Sequence, residues 1–325
     1  MKFFTSLFQT VGLIFLLWFC WVEFASSETE KSETTGNTEL QSRFYSMLQA
    51  SDKITYEGHV VLDNGYQWQA MRISHRLGAN GLDVQIEPLT GLLAHSTQAN
   101  ETKTPRGDDL SEMNKSRWSI GLPQQKRKSL IGVIDRYYEF QDGGMDRVAG
   151  RLCRKLILNP IDQFRYNNAF CIDDEIHLPL SATLEEDGEL RERWMFVDLR
   201  LVQDQEAEAE NPVRQDSREA SNDDLASDGY GNGVSPPGYV LLHHHMTSDA
   251  HGFEQWVYSD GVAIISAFVQ TASDIPADVG MHSPVLRRYG ALNIYSRTIA
   301  GGWLTLIGQA PMKALEYIAA RWPEE

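Results

Sequence analysis

Over most of this chain the apolar positions recur at every second residue, the period of a strand with one buried face. Gly81–Pro88 sets Leu82, Val84 and Ile86 between Asp83, Gln85 and Glu87. Ile54–Leu62 and Tyr66–Leu77 are joined by Asp63-Asn64-Gly65, a hairpin turn because Asn and Gly accept positive φ. Leu92-Leu93 and Leu130–Phe140 predict further strands, the second carrying the aromatic run Tyr137-Tyr138-Glu139-Phe140. Two more hairpins follow. Val148–Leu158 and Phe164–Ile172 flank the turn formers of Asn159–Gln163, and Leu180–Glu185 returns through Asp187-Gly188 into Leu190–Val202. The helical period enters this half once, where Leu40, Phe44, Met47 and Leu48 make one apolar stripe. The prediction is a large antiparallel sheet preceded by a short helix. One face of such a sheet must be covered, and the predicted helix is too small to cover it fully.

From Gln203 to Pro237 the alternation stops. The stretch is acidic, rich in Gly, Ser and Pro, and nearly without large aliphatics, so it cannot bury enough surface to offset its ordering entropy. A flexible linker between two domains is expected. Gly229-Tyr-Gly-Asn-Gly233 inside it has the glycines of a phosphate-binding loop but neither the preceding strand nor the following helix. Beyond it, Val240–Met246, Phe253–Tyr258, Val262–Thr271, Ala291–Ile299 and Trp303–Gly308 predict strands, with Ala300-Gly301-Gly302 as a compact turn. Pro311 opens a terminal helix, Met312–Trp322. In this small α+β domain Trp256, Ile264, Phe268, Leu292, Ile294, Trp303 and Leu306 are expected to pack against Leu315 and Ile318.

The N-terminus changes the setting. Lys2 precedes an uncharged apolar run from Phe3 to Val22, and Glu23 and Ala25-Ser26-Ser27 follow, the layout of a secretory signal peptide over residues 1–27. A retained anchor is the alternative, since about 20 apolar residues span a bilayer. Cys20 follows the bulky Trp18 and Phe19, a poor match to lipoprotein processing. Export permits a disulfide, and Cys153 and Cys171 are the cysteines outside the N-terminal segment. Folding their two strands about Asp162 sets them opposite each other, where Cβ atoms lie roughly 4.5–5.5 Å apart, close to the ~3.8 Å of a disulfide. Their spacing is far from a CxxC redox motif.

Charge and motif content then narrow the chemistry. A formal net charge of −16 over 325 residues argues against a nucleic-acid partner, which needs a concentrated basic surface. His243-His244-His245 lies in a predicted strand, so only His243 and His245 share a face, and neither a Cys nor an HExxH pattern adds a third metal ligand. A solvated edge strand is expected, with no metal and no cofactor. His59, His75 and His177 stand alone. There is no G-x-S-x-G elbow, and Asp173-Asp174 and Glu185-Glu186 fall in or beside turns where solvation accounts for them. No catalytic residue is assigned, and the chain is expected not to be an enzyme.

Several of these residues carry a resemblance. Arg151-Leu152-Cys153, the strand ending Phe170-Cys171-Ile172-Asp173, His177-Leu178-Pro179, and the Asp-Gly turn leading through Trp194 and Phe196 are similar to the amino-terminal domain of the RseB/MucB family. These are periplasmic negative regulators of sigma-E, or AlgU-type, envelope-stress responses. Trp256-Val257-Tyr258-Ser259-Asp260-Gly261 resembles the family's YSDG hairpin, and the last strand pair with its Pro-led helix matches as well. The resemblance covers most of residues 40–202 and 238–322 and is weakest between His95 and Ser129. It implies an α+β fold: an open antiparallel half-barrel of the LolA/LppX lipoprotein-carrier kind over residues 38–202, with helices on its concave face. A linker over 203–237 and a small α+β domain over 238–325 complete it. Trp68, Met71, Ile73, Val84, Ile86, Ile131, Val133 and Tyr138 are the candidates to line an apolar lipid cavity, with ordinary core packing as the competing expectation for each. The resemblance further implies a periplasmic protein that binds the periplasmic segment of a membrane anti-sigma factor, shields it from site-1 proteolysis, and lets go when lipopolysaccharide or another lipid binds. A periplasmic lipid or lipoprotein carrier is the alternative, and a homo-oligomer is left open.

Overall fold

The computed structural model describes residues 37–50, 53–78, 81–90, 127–202, 234–246, 253–271, 284–300 and 302–323. In the first domain a helix over residues 37–50 (α1) precedes β1 (Tyr56–Asp63), β2 (Trp68–Gly78) and β3 (Gly81–Pro88). Helix α2 (Arg127–Tyr137) runs directly into β4 (Tyr138–Val148), followed by β5 (Arg151–Pro160), β6 (Asn167–Asp173), β7 (Pro179–Glu186) and β8 (Glu189–Leu201). These strands form one open antiparallel sheet in the order β3-β2-β1-β8-β7-β6-β5-β4. Every strand lies beside a sequence neighbour except at the centre, where β1 meets β8 and Val61 faces Met195. The tight turns obey local chemistry: Ala149-Gly150 and Asp187-Gly188 all take positive φ, as two-residue hairpin loops require.

One face of the sheet is covered by both helices. Phe44, Met47 and Leu48 of α1 and Leu130 and Ile134 of α2, each at most 1% exposed, share a core with Val60, Ile73, Leu156, Phe170 and Trp194. The stripe predicted for α1 is the stripe that is buried. The strand expected over Leu130–Phe140 is corrected to a helix that becomes a strand at Tyr138. Short apolar runs do not distinguish the two, but Leu130, Ile134 and Tyr138 repeat at four-residue spacing, and tertiary packing decided in favour of that period. The helix supplies the cover that the sequence left missing.

In the second domain β9 (Val240–Met246), β10 (Phe253–Ser259), β11 (Ile264–Thr271), β12 (Val285–Tyr289), β13 (Leu292–Ile299) and β14 (Gly302–Gly308) form a sheet in the order β12-β13-β14-β11-β10-β9, and α3 (Met312–Arg321) packs on it. Strand β12 had no counterpart among the expected elements. The face turned to α3 is also corrected. Trp256, Leu306, Leu315 and Ile318 are in this core as expected, but with Ile265, Ala267 and Leu304, while Ile264, Phe268, Leu292, Ile294 and Trp303 stand on the opposite face, half-buried. Alternation says which residues share a face; only the position of the helix says which face is in. Of the predicted linker, residues 203–233 lie outside the described residues, whereas Val234 is 5% exposed within the second core. The expected Leu92-Leu93 strand and signal peptide also lie outside them.

Cys153 and Cys171 form a disulfide. The register differs from the expected one by two residues, because the hairpin folds about Gln163 and Cys153 faces Asp173. The cysteines are therefore diagonal neighbours with Cα atoms 5.3 Å apart, and both are at most 2% exposed. A bridge over this loop length contributes about 3 kcal/mol in the loop-entropy picture. Replacing both cysteines by alanine should lower unfolding stability by an amount of that order in denaturant titrations. Peptide mapping of the unreduced protein, produced in an oxidising compartment, should find the two cysteine peptides linked, and free thiols at both positions would show that the bond does not form.

Candidate functional site at the domain junction

The tip of the β5–β6 hairpin reaches out of the first sheet into the second domain. Asp162 Oδ1 accepts the Phe164 N–H at 2.9 Å, a turn closed by the aspartate's own side chain. Phe164 then packs on the second core, edge-on to Tyr317 of α3 with ring centroids 5.1 Å apart. Arg165 and Tyr166 follow, both buried.

Arg165 is the centre of the junction. Neither its side chain nor that of Asp260 has any exposed surface, and Nε lies 2.8 Å from Asp260 Oδ2 in ion-pair contact. Nη1 donates to Asp162 Oδ2, and Nη2 donates to the Pro237 carbonyl at 2.8 Å. The guanidinium carbon stands 4.3 Å from the Tyr137 ring centroid and 4.9 Å from that of Tyr239, so two aromatic faces enclose it. Burial pulls the guanidinium pKa down, but the charges of Asp260 and, among weaker contributors, Asp162 leave it above its ordinary value. The cation is therefore permanent.

Asp260 occupies the β10–β11 turn, in the Tyr258-Ser259-Asp260-Gly261 motif. One carboxylate oxygen accepts the N–H groups of Val262 and Ala263 at 2.9 and 2.8 Å, and the other accepts the Tyr138 hydroxyl at 2.8 Å. Burial first, and then the Asp260 charge, hold the Tyr138 hydroxyl well above its usual pKa, which keeps it a donor. Gly261 has φ +98°, and a Cβ there would stand 2.7 Å from Ile134 Cδ1. The glycine lets α2 come against the turn.

A second set of contacts lies along the same seam. Tyr166 Oη is 3.1 Å from the Ala291 carbonyl and 3.2 Å from that of Ala310, and accepts from Asn293 Nδ2 at 2.8 Å. Gln309 Nε2 donates to the fully buried Glu192 at 2.9 Å, and Arg288 reaches Glu186 at 3.5 Å. Each joins one domain to the other.

The candidate cavity residues fall elsewhere. Met71, Ile73 and Val84 are at most 8% exposed, on one face of β2 and β3, with Ile86 half-buried beside them. Met71 and Ile73 belong to the core under the helices, and Ile86 packs against it. Trp68 is corrected: it is 61% exposed on the other face, 5.8 Å from the Arg193 guanidinium. Parity alone would have separated 68 from 71 and 73. Ile131 and Val133 are half-buried on α2, away from its Leu130–Ile134 stripe, and Tyr138 serves the junction. His243, His244 and His245 are exposed on β9. Arg165 was not anticipated. Its signal was an arginine between two aromatics at a hairpin tip, three residues after a turn aspartate.

These features define a two-domain scaffold in which an open, helix-covered sheet is keyed by its hairpin tip into a smaller α+β domain. Comparison with known families gives it a place. The MucB/RseB N-terminal domain matches residues 39–217 and the MucB/RseB C-terminal domain residues 225–322, and the chain belongs to the MucB/RseB family. It is 25% identical over 284 residues to the sigma-E factor regulatory protein RseB of Haemophilus influenzae, covering 84% of this chain and 87% of that protein. It is 28% identical over 291 residues to the sigma factor AlgU regulatory protein MucB of Pseudomonas aeruginosa, with the same coverage. The crystal structure of MucB in complex with MucA(peri) matches with a TM-score of 0.58 at 20% identity, over 86% of this chain and 96% of that one. MucB alone matches with a TM-score of 0.56 at 21% identity, over 88% and 98%. The family is one of regulatory proteins.

Removing one member of a buried ion pair leaves an uncompensated charge and costs about 3–5 kcal/mol. Arg165→Met and Asp260→Leu should each destabilise the full-length protein by that order in chemical denaturation. The double variant should lose clearly less than the sum of the two single losses, and a double loss equal to that sum would show that the two groups are not coupled.

Proposed function

We propose that the protein is a periplasmic regulator whose two domains together hold the periplasmic segment of a membrane-embedded anti-sigma factor. Held in this way, the segment is kept from site-1 proteolysis and an extracytoplasmic sigma factor stays restrained. The observation that carries this reading is family membership in both domains, supported by relatives named as regulators of sigma-E and AlgU and by MucB solved with MucA(peri). The buried junction supports it further, because a carrier acting through the first sheet alone has no use for a second domain keyed into it. Lipopolysaccharide or another lipid is the releasing signal in this reading. Since α1 and α2 cover Met71 and Ile73, an acyl chain reaching them displaces a helix. Such a ligand shifts the equilibrium only by its difference in affinity for the two states.

The test is cleavage of the purified periplasmic segment by its site-1 protease, with and without the full-length protein. Protection that rises with protein concentration is expected, and lipopolysaccharide fragments should restore cutting. Cutting unchanged at saturating protein overturns the regulatory reading; protection that lipid leaves intact overturns the release step alone.

A further inference from the structure

Strand β9 is an outer strand of the second sheet, and its exposed end reads His243-His244-His245-Met246. Edge strands are usually guarded by lysine, glutamate or proline, and none is present here. The ladder pairs His243 with Val257, His244 with Trp256 and His245 with Gln255. His244 is accounted for by packing, since its ring stacks on Trp256 with centroids 4.5 Å apart and planes at 14°. His243 and His245 point to the opposite face, their rings 5.9 Å apart and within 13° of parallel. Both are exposed. An aromatic pair of this kind in water gains little from stacking, and when protonated the two rings repel.

We propose that His243 and His245 form a surface site for a divalent transition-metal ion that favours imidazole, copper or zinc. A metal–imidazole bond is about 2.0–2.1 Å, so the two coordinating nitrogens must approach to about 3 Å. Both side chains are exposed, so rotation about χ1 and χ2 brings the nitrogens together without moving the strand, in exchange for the contacts the rings hold now. Gln255, across the ladder from His245 on the same face, can add an amide oxygen, and water fills the remaining positions. Among the described residues no group of three or more His, Cys, Asp or Glu side chains could hold a metal, so this is a two-imidazole site with open coordination positions rather than a closed structural one. Copper is preferred to zinc, as for nitrogen ligands generally.

The test is calorimetric titration of Cu²⁺ and Zn²⁺ into the full-length protein prepared without a histidine tag, with thermal melts to confirm that each variant is folded. One ion per chain is expected. His243→Ala and His245→Ala should each weaken binding by about tenfold or more, with His244→Ala unchanged. Absence of binding, equal affinity in all three variants, or a loss in His244→Ala matching the other two overturns the proposal.

Discussion

The guanidinium of Arg165 is held without solvent access between Asp260 and Asp162 and under the rings of Tyr137 and Tyr239, and the placement of both domains follows from that confinement. A buried ion pair adds little net stability over well-packed apolar groups, but an unpaired one is expensive. The pair therefore acts on alternatives: any docking of the domains that separates Arg165 from Asp260 strands a charge. Asp260 can accept this role because its other bonds are local, to Val262 and Ala263 in its own turn. Tyr138 supplies the remaining donor from the residue at which α2 turns into β4.

Around this centre the two cores divide the work. The first is a sheet whose inner face is closed by α1 and α2, and the second is a sheet closed by α3. Phe164 crosses the boundary by packing on the second core from the first domain's hairpin, and Val240, Leu242 and Val262 cross in the other direction. Among the described residues no helix covers the outer face of the first sheet, where Trp68, Met195 and Val197 are exposed among paired charges.

Much of this was legible in the residues. The four-residue hairpin loop at residues 64–67 and the two-residue loop at Asp187-Gly188 follow from turn chemistry, and the α1 stripe and terminal helix from periodicity. What failed did so for a nameable reason. Leu130–Phe140 is apolar enough to satisfy either period, so its residues alone predict a strand where the packed chain makes the covering helix. The residues expected inside the second sheet mixed the two parities, Trp303 with Leu306 on a single strand, so strict alternation separates them, and the position of α3 then says which set is inside. The two-residue error in the cysteine register came from placing the centre of a five-residue turn by its most turn-like residue. Arg165 was invisible because a buried charge is recognised by its partner, and Asp260 lies in the other domain. The YSDG motif was visible, but only as a resemblance; its meaning lies in the turn it forms against Ile134 and Arg165.

The meeting of β1 with β8 at the middle of the first sheet has a temporal side. A chain made from its N-terminus presents Val60 and Leu62 long before Phe196 and Trp194, the residues that pair with them, exist. Until then β1 and β2 are a ribbon with one apolar face and a free inner edge, the kind of surface that pairs with whatever strand arrives. Contacts so distant in sequence also form slowly, since a long loop must close before they repay it. Of all the ladders in this sheet, the central one is the last whose two strands a chain emerging N-terminus first can bring together.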